Sequence, residues 1–220
     1  MPYNLAIPGW MPEAELQVLE RLARTIPAGG AMLEVGPFAG RSSWCWSKSV
    51  APGVRVTCVD IWNPREHPFS PPASRGEEAV KPDFGYLDAG APGWGTQELF
   101  AWYTRDCDNI TALRGRSPDD FRAWPADSLD LVFLDGVHHN PVFNADLRHW
   151  YRRVKPGGIL CGDDCARSHP DVLWTVHDFC KQEGIPFSVE RRIWMLQRPL
   201  SGDGQPRTPL MASYALSGFS

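Results

Sequence analysis

Leu33-Glu34-Val35-Gly36-Pro37-Phe38-Ala39-Gly40-Arg41-Ser42-Ser43 is the stretch that decides the fold of this chain. The apolar run Ala31 to Val35 reads as a short buried strand with an acid near its end. Gly36 and Gly40 follow at a spacing of four, and a helix is expected at once, over residues 42–50. Glycine removes the side chain that would block a ligand and permits positive φ in a turn. The start of the helix offers unpaired N–H groups to a carboxylate. Together they form a cradle for a ligand that carries an amine, a carboxylate and a ribose.

Working outward, residues 54–59 read as a second strand that ends at Asp60, so strand, helix and strand form a parallel α/β unit. Before the cradle, Leu16, Leu19, Leu22, Ala23 and Ile26 recur at helical spacing after Pro12, within a helical segment placed in residues 1–30. Pro27-Ala28-Gly29-Gly30 stops that helix. From Trp62 to Gly95 the pattern lapses into Pro, Gly and Ala, which predicts an inserted lid or substrate loop. Its Trp62, Tyr86 and Trp94 would suit a flat or glycosidic substrate. A helix over 96–107 and a strand over 110–113 come next, then a short helix with Ser117 as cap and Pro118 at its first position.

Residues 129–134 form a fourth strand ending at Asp135. Asn140-Pro141 opens a helix with the stripe Phe143, Leu147, Trp150, Tyr151 and Val154, and Pro156-Gly157-Gly158 closes it. Residues 159–162 make a fifth strand ending at Asp163-Asp164, followed by a helix over 170–183. Residues 187–191 and 193–197 lie close together and are expected to pair antiparallel at an edge. An irregular tail occupies 198–220. These elements predict one α/β domain over residues 1–220.

With 43% hydrophobic and 22% charged residues, the chain has the balance of a soluble globular protein. A net charge of -4 with no cluster of Lys or Arg excludes a nucleic-acid backbone as partner. Residues Met1 to Leu16 contain no basic residue and no long apolar run, and no window approaches a membrane span. A cytoplasmic protein acting on a small molecule, without membrane contact, is the expectation. The six cysteines read as reduced, buried thiols, because Cys161 and Cys165 lack the second pair that structural zinc needs. Trp10 and Trp94, outside the regular elements, are compatible with a homodimer.

Glu34, Asp60, Asp135 and Asp163-Asp164 all stand at strand ends, so a parallel sheet gathers them on one rim, where such sheets bind ligands. Asp60 is placed to accept hydrogen bonds from ribose hydroxyls, the alternative being a turn acid. Glu34 would either steady the turn or meet the ammonium of the ligand. The nicotinamide dinucleotide fingerprint is G-x-G-x-x-G, whereas this turn is G-x-x-x-G. The wider spacing suits an adenosine with an amino-acid tail, which favours S-adenosylmethionine.

The first motif, Glu34 to Ser42, resembles that of the class I S-adenosylmethionine-dependent methyltransferases. Leu134-Asp135-Gly136-Val137-His138, Lys155-Pro156-Gly157-Gly158 and Gly162-Asp163-Asp164 narrow the resemblance. They are similar to the small metal-dependent O-methyltransferases near the macrocin O-methyltransferase and cephalosporin-hydroxylase-type group, and to the catechol O-methyltransferases. The resemblance implies a Rossmann-like, mostly parallel seven-stranded sheet with an antiparallel edge strand and helices on both faces. It implies that Gly36, Phe38, Gly40 and Ser42 line the methionine part of the cofactor, and that Asp60 holds the ribose. Glu34, Pro37, Ser43, Ile61 and Asp135 complete that cofactor set, and Ser117 falls near the adenine. Asp135, Asp163 and Asp164 fall on the positions that ligate Mg²⁺ or a similar divalent ion. Asp164 departs from the catechol enzymes, which have Asn there. His138 resembles the histidine base of sugar-modifying members, where the catechol enzymes use a lysine that this chain lacks.

The metal reading has its own chemistry, since oxygen ligands from two strand ends suit Mg²⁺. The competing reading is that Asp163 and Asp164 only cap the next helix. His139 rivals His138 as base, while His67, His149, His169 and His177 are surface or packing residues by default. The expected reaction is metal-assisted methyl transfer to a hydroxyl of a natural-product, sugar or phenolic small molecule. The alternatives are a metal-independent methyltransferase and an adenosyl-binding protein without turnover.

Overall fold

The computed structural model describes residues 3–63 and 87–200. The remainder of the expected 62–95 loop, including His67 and Tyr86, and the tail beyond residue 200 lie outside the described residues. Seven strands form one sheet: β1 (Ala31–Val35), β2 (Arg55–Asp60), β3 (Ile110–Arg114), β4 (Leu129–Leu134), β5 (Val154–Gly162), β6 (Phe187–Glu190) and β7 (Ile193–Gln197). Their order is β3-β2-β1-β4-β5-β7-β6. The first five pair in parallel, and β7 runs antiparallel to both β5 and β6. This is the Rossmann-like sheet that the resemblance implies, with its switch point at β1.

Period-two alternation sorts the strand residues onto two faces. Met32, Val56, Cys58, Phe133 and Cys161 face α1 (Glu13–Ala23) and α2 (Arg41–Ser49), where Trp46 is fully buried. Leu33, Val132, Leu134 and Leu160 face α4 (Val142–Tyr151) and α5 (Pro170–Glu183), around Trp150 and Trp194. Strands buried on both faces read as nearly continuous apolar runs, which is why the short run at Ala31 already marks a strand. All six cysteines are buried free thiols. Burial pushes the Cys45 thiol up to about 12 and the Cys165 thiol up to about 11.

Several boundaries differ from the sequence reading. The helix expected over 96–107 is α3 (Gln97–Tyr103), capped by the Thr96 hydroxyl, which accepts from the Leu99 N–H at 3.1 Å. Pro156-Gly157-Gly158 lies inside β5 rather than before it. The β4–β5 pairing shifts register between Leu129 and Leu131, and the Gly157 N–H donates to the Arg198 carbonyl at 2.8 Å. Val154 therefore belongs to this strand and not to the α4 stripe. Ser117 is no helix cap, because the 3-10 turn Asp119–Phe121 has Pro118 at its cap position and no side-chain cap bond. Among the described residues, no helix is long and apolar enough to cross a membrane.

Candidate active site

The glycine turn rises from β1 and is built by backbone. Gly36 has φ +81°, and a Cβ there would meet the Asp135 carbonyl oxygen at 2.3 Å. The turn thus rests directly on the end of β4, with the Asp135 N–H donating to the Val35 carbonyl at 2.9 Å. Gly40 has φ +98° and stands at the N-terminus of α2, where a Cβ would meet Thr104 at 2.7 Å. Pro37 is buried, and its carbonyl accepts from the Gly40 N–H at 2.8 Å. Phe38 packs between Trp10 at 5.0 Å and Trp94 at 5.8 Å, the latter stacked at 4°. Trp10 and Trp94 are thus ring partners of Phe38 in the turn. Arg41 ties the N-terminal segment to α2 by donating to the carbonyls of Ile7 at 2.7 Å and Met11 at 2.9 Å.

Glu34 and Ser43 lie beneath this turn, both fully buried. The Ser43 hydroxyl donates to Glu34 Oε2, with the Cys58 thiol 3.5 Å from the same oxygen. Burial raises the Glu34 pKa against the pull of Ser42, Ser43, Cys58 and Trp46. Of its two expected roles, this position suits steadying the turn from below. Ser42 is also buried, at the first turn of α2.

Asp60 ends β2, and its Oδ1 accepts from the Trp62 N–H at 3.0 Å. Burial raises its pKa, while the backbone N–H groups of Trp62, Phe38 and Ile61 pull it down. Trp62 is buried beneath the turn, its indole N–H 3.4 Å from the Phe38 carbonyl. The Gly115 N–H donates to the Asp60 carbonyl at 2.8 Å, which sets the 115–117 segment beside this acid. The Ser117 hydroxyl donates to Asp146 of α4 and accepts from the Trp150 indole N–H at 2.9 Å.

Across the turn, β4 and β5 deliver the acids. Asp135, His138 and Asp164 bring one ligand atom each within 4.8 Å of one another. His138 Nε2 lies 3.1 Å from Asp164 Oδ2, and His169 Nδ1 lies 3.3 Å from Asp164 Oδ1. His139 points away, exposed and 3.8 Å from Asp171. Burial pushes Asp135 well above the usual carboxylate range, with the charges of Asp163 and Asp164 adding to it. Burial also lowers the His138 pKa, although the Asp164 charge opposes that.

Asp163 stands beside this cluster, and its charge acts on Asp135. It continues the alternation of Ile159 and Cys161 toward the α1 face, accepts from the Asp164 N–H at 2.6 Å, and faces Arg192 at 3.4 Å. Arg192 also pairs with Asp164, and its Nε lies 3.8 Å from the buried Glu15 of α1. The expected acids Asp135, Asp163 and Asp164 thus stand near one another on the rim, and His138 joins Asp135 and Asp164.

Arg192 and His169 are site residues that sequence reasoning did not single out. A signal for Arg192 existed in the edge hairpin. Because β7 is antiparallel to β5, pairing Trp194 with Gly162, it begins at the rim where β5 ends. Its leading turn, Arg191-Arg192, must therefore land beside Asp163 and Asp164, and the Cys165 N–H bonds the Arg192 carbonyl at 2.9 Å. No comparable pattern marks His169, which stands on the connection into α5.

Chemically, the rim offers a backbone cradle with a neighbouring acid, beside a cluster of two carboxylates and an imidazole. The two carboxylates suit a divalent cation of hard character, with the imidazole beside them placed to accept a proton.

Comparison with known proteins agrees with this fold. The precorrin-6y C5,15-methyltransferase of Geobacter metallireducens superposes with a TM-score of 0.61 at 13% identity, covering 89% of this chain and 95% of that one. A methyltransferase of Geobacter sulfurreducens gives 0.58 at 15% identity, covering 86% and 80%. The O-methyltransferase NovP gives 0.60 at 16% identity, covering 84% and 80%. No curated protein matches the chain significantly. The model of a methyltransferase domain family matches residues 33–165, from the cradle strand to just past the acid pair. The chain belongs to that family and is a class I S-adenosylmethionine-dependent methyltransferase.

Proposed function

We propose that this protein is an O-methyltransferase that moves the methyl group of S-adenosylmethionine to a hydroxyl of a small molecule, assisted by a divalent cation. The observation that carries the reading is the convergence of Asp135, His138 and Asp164 beside the Gly36 turn. A likeness of fold to the O-methyltransferase NovP is consistent with it. Gly36, Pro37, Phe38, Gly40 and Ser42 cradle the methionine part, with Glu34 and Ser43 supporting them from within. Asp60 and Ile61 flank the ribose, and Ser117 faces the base.

Asp135 and Asp164 would hold the cation, with Asp163 beside them and Arg192 against both Asp163 and Asp164. When bound, the cation supplies positive charge that lowers the pKa of a nearby hydroxyl. His138, aligned by its contact with Asp164 at 3.1 Å, takes the proton of the acceptor hydroxyl as its oxygen attacks the sulfonium methyl. The methyl leaves sulfur with inversion, and S-adenosylhomocysteine remains. The aromatic rings of Trp10 and Trp94 beside Phe38 would suit a flat acceptor.

One observation favours a second reading. Arg192 already contacts Asp163 and Asp164, so part of their charge is compensated without any metal. A metal-independent methyltransferase would keep that arrangement throughout turnover. The experiment is methyl transfer to a panel of phenols, catechols and glycosides, with chelator and with Mg²⁺ or Mn²⁺ added back, for wild type and His138→Ala. Loss with chelator, recovery with cation and a rate about 10²–10⁴-fold lower in His138→Ala are expected. Full activity in chelator would favour the second reading, and full activity in His138→Ala would remove that residue from the reaction.

A further inference from the structure

Arg192 is one cation shared by three acids. Its Nη2 lies 3.4 Å from Asp163 Oδ2 and pairs with Asp164 Oδ1, while its Nε stands 3.8 Å from Glu15 Oε1. The last contact is too long for a hydrogen bond. Arg192 Nε is buried and bonds no acceptor among the described residues, and Glu15 Oε2 likewise has no donor. Glu15 is only 5% exposed, in the first turn of α1. A buried donor and a buried carboxylate left unbonded side by side are costly, and such an exception calls for a cause.

The backbone on both sides is fixed. The Arg192 carbonyl accepts from the Cys165 N–H at 2.9 Å, β7 begins at Ile193, and the Glu15 N–H donates to the Pro12 carbonyl at 3.0 Å. Closing 3.8 Å to an ordinary charge-assisted bond takes a side-chain shift of about 1 Å. A divalent ion on Asp164 and a guanidinium on the same carboxylate repel each other at close range, so the guanidinium then needs another acid.

We propose that Glu15 is a second seat for the Arg192 guanidinium, taken up when a divalent cation binds at Asp135 and Asp164. Asp164 is thereby released to the cation, and the bond from Arg192 Nε to Glu15 is made in exchange. Glu15 is a positioning residue, acting on the cation through Arg192 alone. This inference rests on the reading of Asp135, His138 and Asp164 as the cation site and names what sets its affinity.

The test is titration calorimetry with MnCl₂ for wild type, Glu15→Gln, Arg192→Met and the double variant. It is run at pH 8, above the value of about 7 to which burial raises Glu15. Glu15→Gln should bind Mn²⁺ roughly tenfold more weakly than wild type, the size of one charge-assisted bond gained on binding. Arg192→Met should bind it more tightly, because the competing cation is gone. In that background Glu15→Gln should change the affinity by less than about twofold.

Circular dichroism establishes that each variant is folded, and Arg192→Gln replaces Arg192→Met if the latter is not. Unchanged Mn²⁺ affinity in Glu15→Gln would overturn the inference. So would a tenfold loss that persists without Arg192, which would mark plain attraction between the carboxylate and the ion. Binding by Arg192→Met but not by wild type would also overturn it, since the guanidinium would then have no second seat. In all three cases the cation site stands, whereas failure of all four proteins to bind Mn²⁺ would overturn the cation site itself and the inference with it.

Discussion

The two halves of the rim are built from different materials. On the β1–β2 side, the cradle is backbone: Gly36 packs on the Asp135 carbonyl, Gly40 starts α2 at φ +98°, and buried Glu34 and Ser43 brace the turn from within. On the β4–β5 side, the cluster is side chain: Asp135, His138, Asp164 and His169 meet, with Arg192 lying against Asp163, Asp164 and Glu15. The first half tolerates no added atom, and the second depends on the balance of charge. Geometry governs one and electrostatics the other, so the two should fail under different perturbations.

Gly36→Ala should have the largest effect. A methyl group 2.3 Å from a carbonyl oxygen at φ +81° cannot be relieved without moving β4. The expected loss is about 3 kcal/mol or more, read by urea unfolding and independent of pH and salt. A variant with wild-type stability would mean that the cradle is not a backbone contact at all.

Arg192→Met should act on the other half and depend on pH. It leaves Asp163, Asp164 and Glu15 without their cation, and because the arginine side chain is 40% exposed the loss is held to about 1–3 kcal/mol at pH 8. The arginine favours the ionised acids, so its contribution fades as pH falls and Asp163, whose pKa burial raises, takes up a proton. Melting temperatures across pH should therefore converge with wild type on the acid side. Rescue of the variant by Mn²⁺ or Mg²⁺ would sharpen the contrast by showing that cation and guanidinium compete for the same acids.

Asp60→Asn tests the outer end of the backbone half, at β2. Losing the charged acceptor at the end of β2 should weaken S-adenosylhomocysteine binding by roughly tenfold, about 1.4 kcal/mol, with little change in stability. Calorimetry reads this directly, and unchanged affinity would detach Asp60 from the ribose.

Glu15→Gln should have the smallest effect and the opposite sign. Burial raises Glu15 from 4.5 to about 7, so the folded state holds a proton that the unfolded chain has released. Its ionisation costs stability as pH rises from 4.5 to about 7, and the cost is complete above that range. The variant should gain roughly 1 kcal/mol at pH 8 and nothing near pH 4.5. A loss at pH 8 would show that the contact of Glu15 with Arg192 outweighs its desolvation.

The half built of backbone was the readable one. Glycines at fixed spacing after an apolar run have one common geometric purpose, and Asp60 lies one strand further on. The acids at Asp135, Asp163 and Asp164 were readable as a group at strand ends, but which of them would meet was not. Alternation along β5 sends Asp163 to the α1 face, while Asp164, at φ +63°, turns toward His138. Ser117 was noticed for the wrong local reason, as a cap, when its hydroxyl is committed to α4.

By itself, the sequence determined the α/β alternation, the cradle and the presence of acids at the strand ends, because each depends on neighbours a few residues away. Only the tertiary structure decided that Arg192 reaches Asp164 across 28 residues, that Asp146 reaches Ser117 across 29, and that His138 rather than His139 joins the acids. Those outcomes depend on which face a strand end presents and on where an antiparallel edge strand begins. They are properties of the closed sheet, and no local pattern encodes them.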